Sequence, residues 1–254
     1  MEIVEHNADV KSWRDDIFFI LVEPKEPGNI GSAARAMKNM GFSRLCLVRP
    51  RDVMTDEARW FACNALDVLE QAVVFDNLEE AIRDKTLVVG TTRRMGKQRG
   101  LVYPVEQGAR RVFETSGENR IAVLFGRESR GLYNEEVDQC GFLMTIPSSR
   151  LQPSLNLSHA VMVVAYELSK AEYAASGGPA PSASLMPQEE VGLLFARMTQ
   201  VLRLLEYIPR GDLDMEEKIM RNLKHFIGRA GLTQWELNML HGICTQIEKK
   251  MGSQ

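Results

Sequence analysis

The chain has 254 residues, 44% of them hydrophobic and 26% charged, with a formal net charge of -3. This is the make-up of an ordinary globular protein with one large domain or two unequal ones. With no overall basic charge, any nucleic-acid surface has to be a local patch. Cys46, Cys63, Cys140 and Cys244 are scattered without a CxxC pair, and the four histidines are dispersed, so neither a metal site nor a disulfide framework is indicated.

Residues 1–15 read as an N-terminal extension. The opening stretch, MEIVEHNADVKSWRDD, is polar and acidic and unlike a secretory signal. No apolar run approaches the length of a membrane span. Free thiols fit a reducing, cytoplasmic setting.

Six short runs then read as strands: 17–23 (IFFILVE), 44–48 (RLCLV), 72–75 (AVVF), 86–92 (TLVVGTT), 121–126 (IAVLFG) and 142–147 (FLMTIP). They are nearly continuous apolar runs rather than alternating ones, the pattern of parallel strands covered on both faces. Between them lie candidate helices at 30–40, about 55–69, 78–84 and 104–114, and a closing helix at about 154–174. The alternation predicts an α/β domain over 16–173, with a parallel sheet and helices on both faces.

Residues 174–187, AASGGPAPSASLMP, are small, Gly/Pro/Ser-rich and uncharged, which predicts a flexible linker. Beyond it, Val191, Leu194, Phe195, Met198, Val201, Leu202 and Leu205 follow helical spacing. Two more helical stretches, 215–228 and 233–250, complete a small all-helical unit over 188–254. Gly231 and Thr233 are placed to end one helix and start the next. Such a unit is too small to bury much core alone and is expected to pack on a partner.

Three stretches stand out at strand ends. The first is EPGNIGSAAR, a glycine-rich corner leading into a helix. It lacks the GK[ST] of a P-loop and the GxGxxG of a dinucleotide site. Its bland reading is a helix start with Asn29 or Ser32 near the cap. Arg35, alone in a small apolar helix, must reach solvent or an anion. The second is LFGRESRGL, 124–132, whose glycines allow close backbone approach. Its bland reading is a surface loop with Glu128 paired to an arginine. The third is PSLNLSHA, from Pro153, read as a helix start with Ser154 at the cap and Asn156 in the first turn. All three fall where open α/β sheets bind ligands.

Together, NIGSAAR (29–35), FGRESRGL (125–132) and SLNLSHA (154–160) resemble the three signature motifs of the SPOUT RNA methyltransferases, in particular the SpoU branch of ribose 2′-O-methyltransferases. The resemblance covers about residues 16–174. The linker and helical tail are further similar to the TrmJ type of that branch, which acts on nucleotide 32 of the tRNA anticodon loop.

The resemblance implies a C-terminal trefoil knot, S-adenosylmethionine as cofactor and a homodimer whose active sites are shared between subunits. It implies a cofactor site at Thr91, Thr92, Arg93, Gly126, Ile146, Pro153, Ser154, Leu155, Asn156, Leu157 and Ser158. Catalytic roles fall to Arg35, Asn29, Glu128, Ser154 and Asn156. The reaction it implies needs no metal. Arg35 is the family's proposed hydroxyl activator, but a guanidinium does not readily give up its charge, so a clamp on phosphate and the 2′-oxygen is the better reading. Glu128 is expected to orient an arginine or the ribose, Ser154 and Asn156 to hold the loop and the hydroxyl, and Asn29 to fix the turn that presents Arg35.

Two basic patches are candidates for RNA. TTRRMGKQRG carries Arg93, Arg94, Lys97 and Arg99 beside the cofactor loop. In the tail, Lys218, Arg221, Lys224, His225 and Arg229 recur at three- and four-residue steps as a stripe on one helix side. The leading expectation is a tRNA ribose 2′-O-methyltransferase. The alternatives are the same chemistry on ribosomal RNA, a catalytically silent RNA-binding protein, and a nucleotide-binding oxidoreductase, which lacks its fingerprint here.

Overall fold

The computed structural model describes residues 12–94, 100–175, 178–179, 182–208 and 213–251. Its centre is a seven-stranded, all-parallel sheet in the order β3-β2-β1-β6-β4-β7-β5. The strands are β1 (Ile17–Val22), β2 (Leu45–Val48), β3 (Val73–Phe75), β4 (Leu87–Thr91), β5 (Val102–Pro104), β6 (Ile121–Phe125) and β7 (Phe142–Thr145). All six residues of β1 are buried, as its unbroken apolar run predicts for a strand paired on both sides. Alternate residues serve the two faces. Phe19 and Leu21 pack with Ile30, Met37, Phe113 and Val161 on one side. Phe18, Ile20 and Val22 pack with Leu78, Ile82, Leu132 and Val137 on the other. Each such side chain contributes about 1.5–3 kcal/mol on burial.

The helices are α1 (Pro27–Asn39), α2 (Asp56–Ala62), α3 (Leu66–Glu70), α4 (Leu78–Ile82), α5 (Val105–Thr115), α6 (Asn134–Val137) and α7 (Leu157–Ala175). Some details depart from the sequence expectation. The 55–69 helix is two pieces, broken where Cys63 takes φ 49. Strand β5, only three residues long and closed by a proline, is a sheet edge that carries too little pattern to read. Helix α1 begins earlier, with Pro27 in its first turn, so Asn29 lies inside it rather than at a preceding turn. Helix α7 begins at Leu157, so Ser154 lies outside it. Asn156 stands at its cap, accepting from the Ser158 N–H at 2.8 Å. Trp13, read as part of an extension, is buried edge-on against Phe42 and Phe113 and donates from Nε1 to Glu172 at 2.8 Å.

The tail is α8 (Gln188–Leu204), α9 (Leu213–Gly228) and α10 (Gln234–Met251). Val191, Leu194, Ile227, Leu232 and Leu237 form its own small core. It packs on the sheet domain of the same chain. The Gln188 and Glu189 N–H groups donate to the Lys85 and Arg83 carbonyls at 2.9 and 3.0 Å. A Cβ on Gly141 would lie 1.8 Å from the Gly228 carbonyl oxygen, so backbone meets backbone there. The stretch read as a flexible linker is pinned near its end, where Asn119 donates to Ser182 and Ala183 and accepts from the Leu185 N–H. Among the described residues, no helix is long and apolar enough to cross a membrane.

Candidate functional site

A cleft lies at the C-terminal ends of β4, β6 and β7. Binding clefts commonly combine apolar side chains with a few polar groups in this way. Its floor is Phe125, Met144, Ile146, Leu157 and Ala160, and its polar wall includes Thr91, Thr92 and Ser129. Of the residues expected around a cofactor, Thr91, Thr92, Arg93, Gly126, Ile146, Pro153, Ser154, Leu155 and Leu157 line it, whereas Asn156 and Ser158 do not. The 126–131 segment folds back on itself, with the Gly131 N–H donating to the Arg127 carbonyl at 2.8 Å. A Cβ on Gly126 would lie 2.1 Å from the Gly131 carbonyl carbon, so only glycine fits this return.

At the cleft's edge the three motifs meet in one hydrogen-bonded chain. Glu128 accepts from the Lys25 and Glu26 N–H groups at 3.2 and 3.3 Å and from Asn29 Nδ2 at 3.1 Å. Asn29 Oδ1 accepts from Asn156 Nδ2 at 2.7 Å. Asn156 Oδ1 accepts from both the N–H and the hydroxyl of Ser158. Glu128 thus does not orient an arginine. It accepts from the two residues that lead into α1, where Glu26, the residue before Pro27, makes no side-chain cap of its own. A carboxylate there also meets the positive end of the helix dipole, a gain of about 0.3–1 kcal/mol. Asn29 ties loop to loop instead of fixing a turn. Ser154 is exposed on the wall.

Arg127, which sequence alone does not distinguish from Arg130, is buried and structural. It donates in bidentate fashion to Glu136 at 2.9 and 3.0 Å and from Nε to Glu23 at 2.7 Å, and it stacks on Tyr133 at 3.9 Å. Its hydrogen bond holds the Glu23 carboxyl below the usual carboxylate range against the opposing effect of burial. Burial opposes the Arg127 charge, but the two carboxylates outweigh it and raise its pKa. Glu136 and Tyr133 lie within nine residues of Arg127, but Glu23 is 104 residues away and no spacing announces it. The bland reading of a surface loop with Glu128 paired to an arginine does not hold among the described residues: Arg127 is buried on Glu23 and Glu136, and Glu128 accepts from Lys25, Glu26 and Asn29.

Arg35 is exposed on α1 and donates to Cys63 Sγ at 3.4 Å. It is not among the residues lining this cleft. Of the basic patch beside the cofactor loop, Arg93 and Arg94 are exposed on the cleft wall. Lys97 and Arg99 lie outside the described residues. The tail stripe divides. Lys218 and Arg229 are exposed, and Lys224 is half-buried. Arg221 turns toward the sheet domain and donates to Asp138 at 2.9 Å, with Glu217 also bound. His225 is buried, 3.6 Å from Asp138, with its ring against Gly100. Arg221 and His225 are therefore docking residues, because an acid of the neighbouring domain faces them.

The model of the SpoU rRNA Methylase family matches residues 16–166, and that of the tRNA methyltransferase TrmJ C-terminal domain matches residues 189–254. The tRNA (cytidine/uridine/adenosine-2′-O-)-methyltransferase TrmJ of Pseudomonas aeruginosa is 37% identical over 248 residues, covering 92% of this chain and 95% of that protein. The crystal structure of TrmJ from Z. mobilis superposes with a TM-score of 0.76 at 34% identity, covering 91% of this chain and 98% of that one. The SpoU methyltransferase AviRb from Streptomyces viridochromogenes, in complex with the cofactor AdoMet, shares the fold with a TM-score of 0.51 at 24% identity, covering 66% of this chain and 64% of that one.

Proposed function

The chain belongs to the SpoU rRNA methylase family, and from that premise we propose that it transfers a methyl group from S-adenosylmethionine to a ribose 2′-hydroxyl of tRNA in the cytoplasm. The observation that carries this reading is the cleft itself. Residues from three separate strand ends, expected to hold the cofactor, line one hollow. The residues fit the group: an apolar floor of Phe125, Met144 and Leu157 suits an adenine ring, and the tight 126–131 return brings backbone up to the wall.

When bound, S-adenosylmethionine supplies a methyl on a sulfonium, already activated for displacement. The protein's task is alignment of hydroxyl, methyl and sulfur, an effect worth about 7–11 kcal/mol when near-attack geometry is held. The Glu128–Asn29–Asn156–Ser158 chain fixes the three loops relative to one another and keeps the cleft in shape. Ser154 and Asn156 flank the position of the hydroxyl. Arg35 keeps its charge and clamps the target phosphate and the developing negative charge on the 2′-oxygen. It does so in the cleft of a second copy, since its own lies elsewhere on the surface. The unit is then a homodimer with shared sites.

The reading includes the C-terminal trefoil knot that the family resemblance implies. Nucleotide 32 is the proposed target, with cytidine, uridine or adenosine accepted. Arg93, Arg94, Lys97 and Arg99 beside the cleft, and Lys218, Lys224 and Arg229 on the tail, bind tRNA phosphates. The test is incubation of the full chain with unmodified tRNA and S-adenosylmethionine, followed by mass mapping of ribose methylation. One 2′-O-methyl group in the anticodon loop is expected. Methylation confined to ribosomal RNA, or none at all, overturns the reading.

A further inference from the structure

The cleft wall carries more positive charge than its proposed cofactor can use. Arg127 is offset by Glu23 and Glu136, and Glu128 is turned to the start of α1. What remains is Arg93, Arg94 and Arg130, all exposed, and none shares a salt bridge with an acid of the described residues. A fourth, Arg150, is exposed on the segment 147–152, whose neighbours Ile146 and Pro153 both line the cleft. It too has no acidic partner among the described residues. Arg14, Arg197, Arg203 and Arg221 are each matched by a carboxylate, whereas these four stand together around one cleft. S-Adenosylmethionine is itself cationic, with a sulfonium and an ammonium against one carboxylate, so unmatched arginines do nothing for its binding. Phosphates along an RNA strand do match them.

We propose that Arg130 and Arg150, with Arg93 and Arg94, form a phosphate seat at the cleft mouth that positions the target strand and couples RNA binding to cofactor binding. This rests on the reading of the cleft as the methyl-donor site. With the seat empty, its arginines disfavour the cationic donor relative to S-adenosylhomocysteine, which has lost the sulfonium charge along with the methyl. An RNA phosphate on the seat cancels that field. RNA therefore shifts preference from product to donor, and by thermodynamic reciprocity the donor tightens RNA. The enzyme would exchange product for donor while an RNA strand sits on the seat, and its preference would return toward product once the strand leaves. Both arginines are exposed and free of salt bridges to described residues, so removing them leaves the fold in place.

The experiment is calorimetric titration of donor and of product into the full chain and into an Arg130→Ala, Arg150→Ala double variant, each with and without a tRNA that the wild type methylates. In the wild type, tRNA should raise the donor-over-product affinity ratio by about fivefold, the low end of ordinary coupling. In the double variant that shift should fall below about twofold. The slope of log K against log salt for tRNA should drop by roughly 0.7–0.9 for each lost contact. Arg130→Lys with Arg150→Lys should restore the slope, since phosphate seating needs charge more than the planar fork. Equal ratio shifts and equal slopes in wild type and double variant overturn the seat while leaving the methyltransferase reading intact. A wild type that binds no donor and methylates no tRNA overturns both.

Discussion

In the helical tail, Arg197 donates to both Glu248 oxygens, Arg203 to Glu216, and Arg221 to Asp138 across the domain boundary. At the cleft mouth, Arg93, Arg94 and Arg130 are exposed, with no salt bridge to a described acid. Both regions look basic in sequence. They differ in whether acidic groups share the same surface, and that is what separates an arginine that holds the protein together from one free to hold a ligand. A three- and four-residue recurrence of Lys and Arg on α9 therefore does not by itself mark an RNA face. Arg221 and His225 in that stripe are consumed by docking.

The contrast is sharpest at Arg35, which is exposed and, among the described residues, donates to Cys63 Sγ and to no acid. Its removal should leave melting temperature and donor affinity in place while lowering methyl transfer by on the order of 10²–10³, the usual cost of one charge-stabilising donor. Arg35→Lys should recover little, because a point charge does not reproduce the planar fork. Single-turnover kinetics on saturating tRNA, alongside calorimetry for the donor, check this. Near-normal turnover in Arg35→Ala would make Arg35 a surface residue and break the distinction drawn above.

Arg127 and Arg130 set the same contrast within a single turn. Arg127 is 5% exposed and held by two carboxylates, whereas Arg130, three residues on, is exposed and forms no salt bridge with a described residue. Arg127→Ala strands Glu136 without its cation and leaves Glu23 with Arg49 alone. Breaking a buried pair on one side costs about 3–5 kcal/mol, and the lower end is expected because Glu23 keeps Arg49 and partial solvent access. The loss should appear as a lower urea midpoint with an unchanged slope, together with weaker donor binding as the 126–131 return loosens. Arg130→Ala should leave stability within about 0.5 kcal/mol of wild type. Equal midpoints for the two variants would erase the difference between structural and ligand-facing arginines.

Much of the sheet is legible because its strands are buried on both faces and so write continuous apolar runs. Ile17–Val22 is the clearest case. Strand β5 is not, since three residues ending in Pro104 carry no period. The break at Cys63 is hidden because its left-handed φ is imposed by packing rather than announced by a glycine. In the site, the motifs place the cleft residues well, because strand-end loops converge wherever parallel strands stop. The partners of those residues are not legible. Glu128 binds the Glu26 N–H, 102 residues away, and Arg127 binds Glu23, 104 residues away, pairings that depend on the order of β1 and β6 in the sheet. The tail stripe misleads for the same reason: Asp138, which decides the fate of Arg221 and His225, lies in the other domain.

The smallest expected effect tests that docking contact through pH. His225 is 8% exposed on α9, and burial lowers its pKa below the ordinary value of 6.5. Asp138 pulls the other way, while Arg221, Arg229 and Lys224 reinforce the lowering. The docked state thus holds the ring neutral, whereas an undocked or unfolded ring protonates near 6.5. Stability from this group is fully present above the unfolded value and is lost as pH falls from there toward the folded value. Between about pH 7.5 and 5.5, which brackets the ordinary histidine titration, the wild type should lose melting temperature relative to His225→Gln, which fills similar space without titrating. Each pH unit between the two pKa values corresponds to about 1.4 kcal/mol, an upper bound here because Asp138 is close enough to recapture part of the charge. The tail should be the part that loosens, read as faster proteolysis within 188–251 at the lower pH. If the two melting curves fall in parallel across that range, His225 is not titrating against its burial.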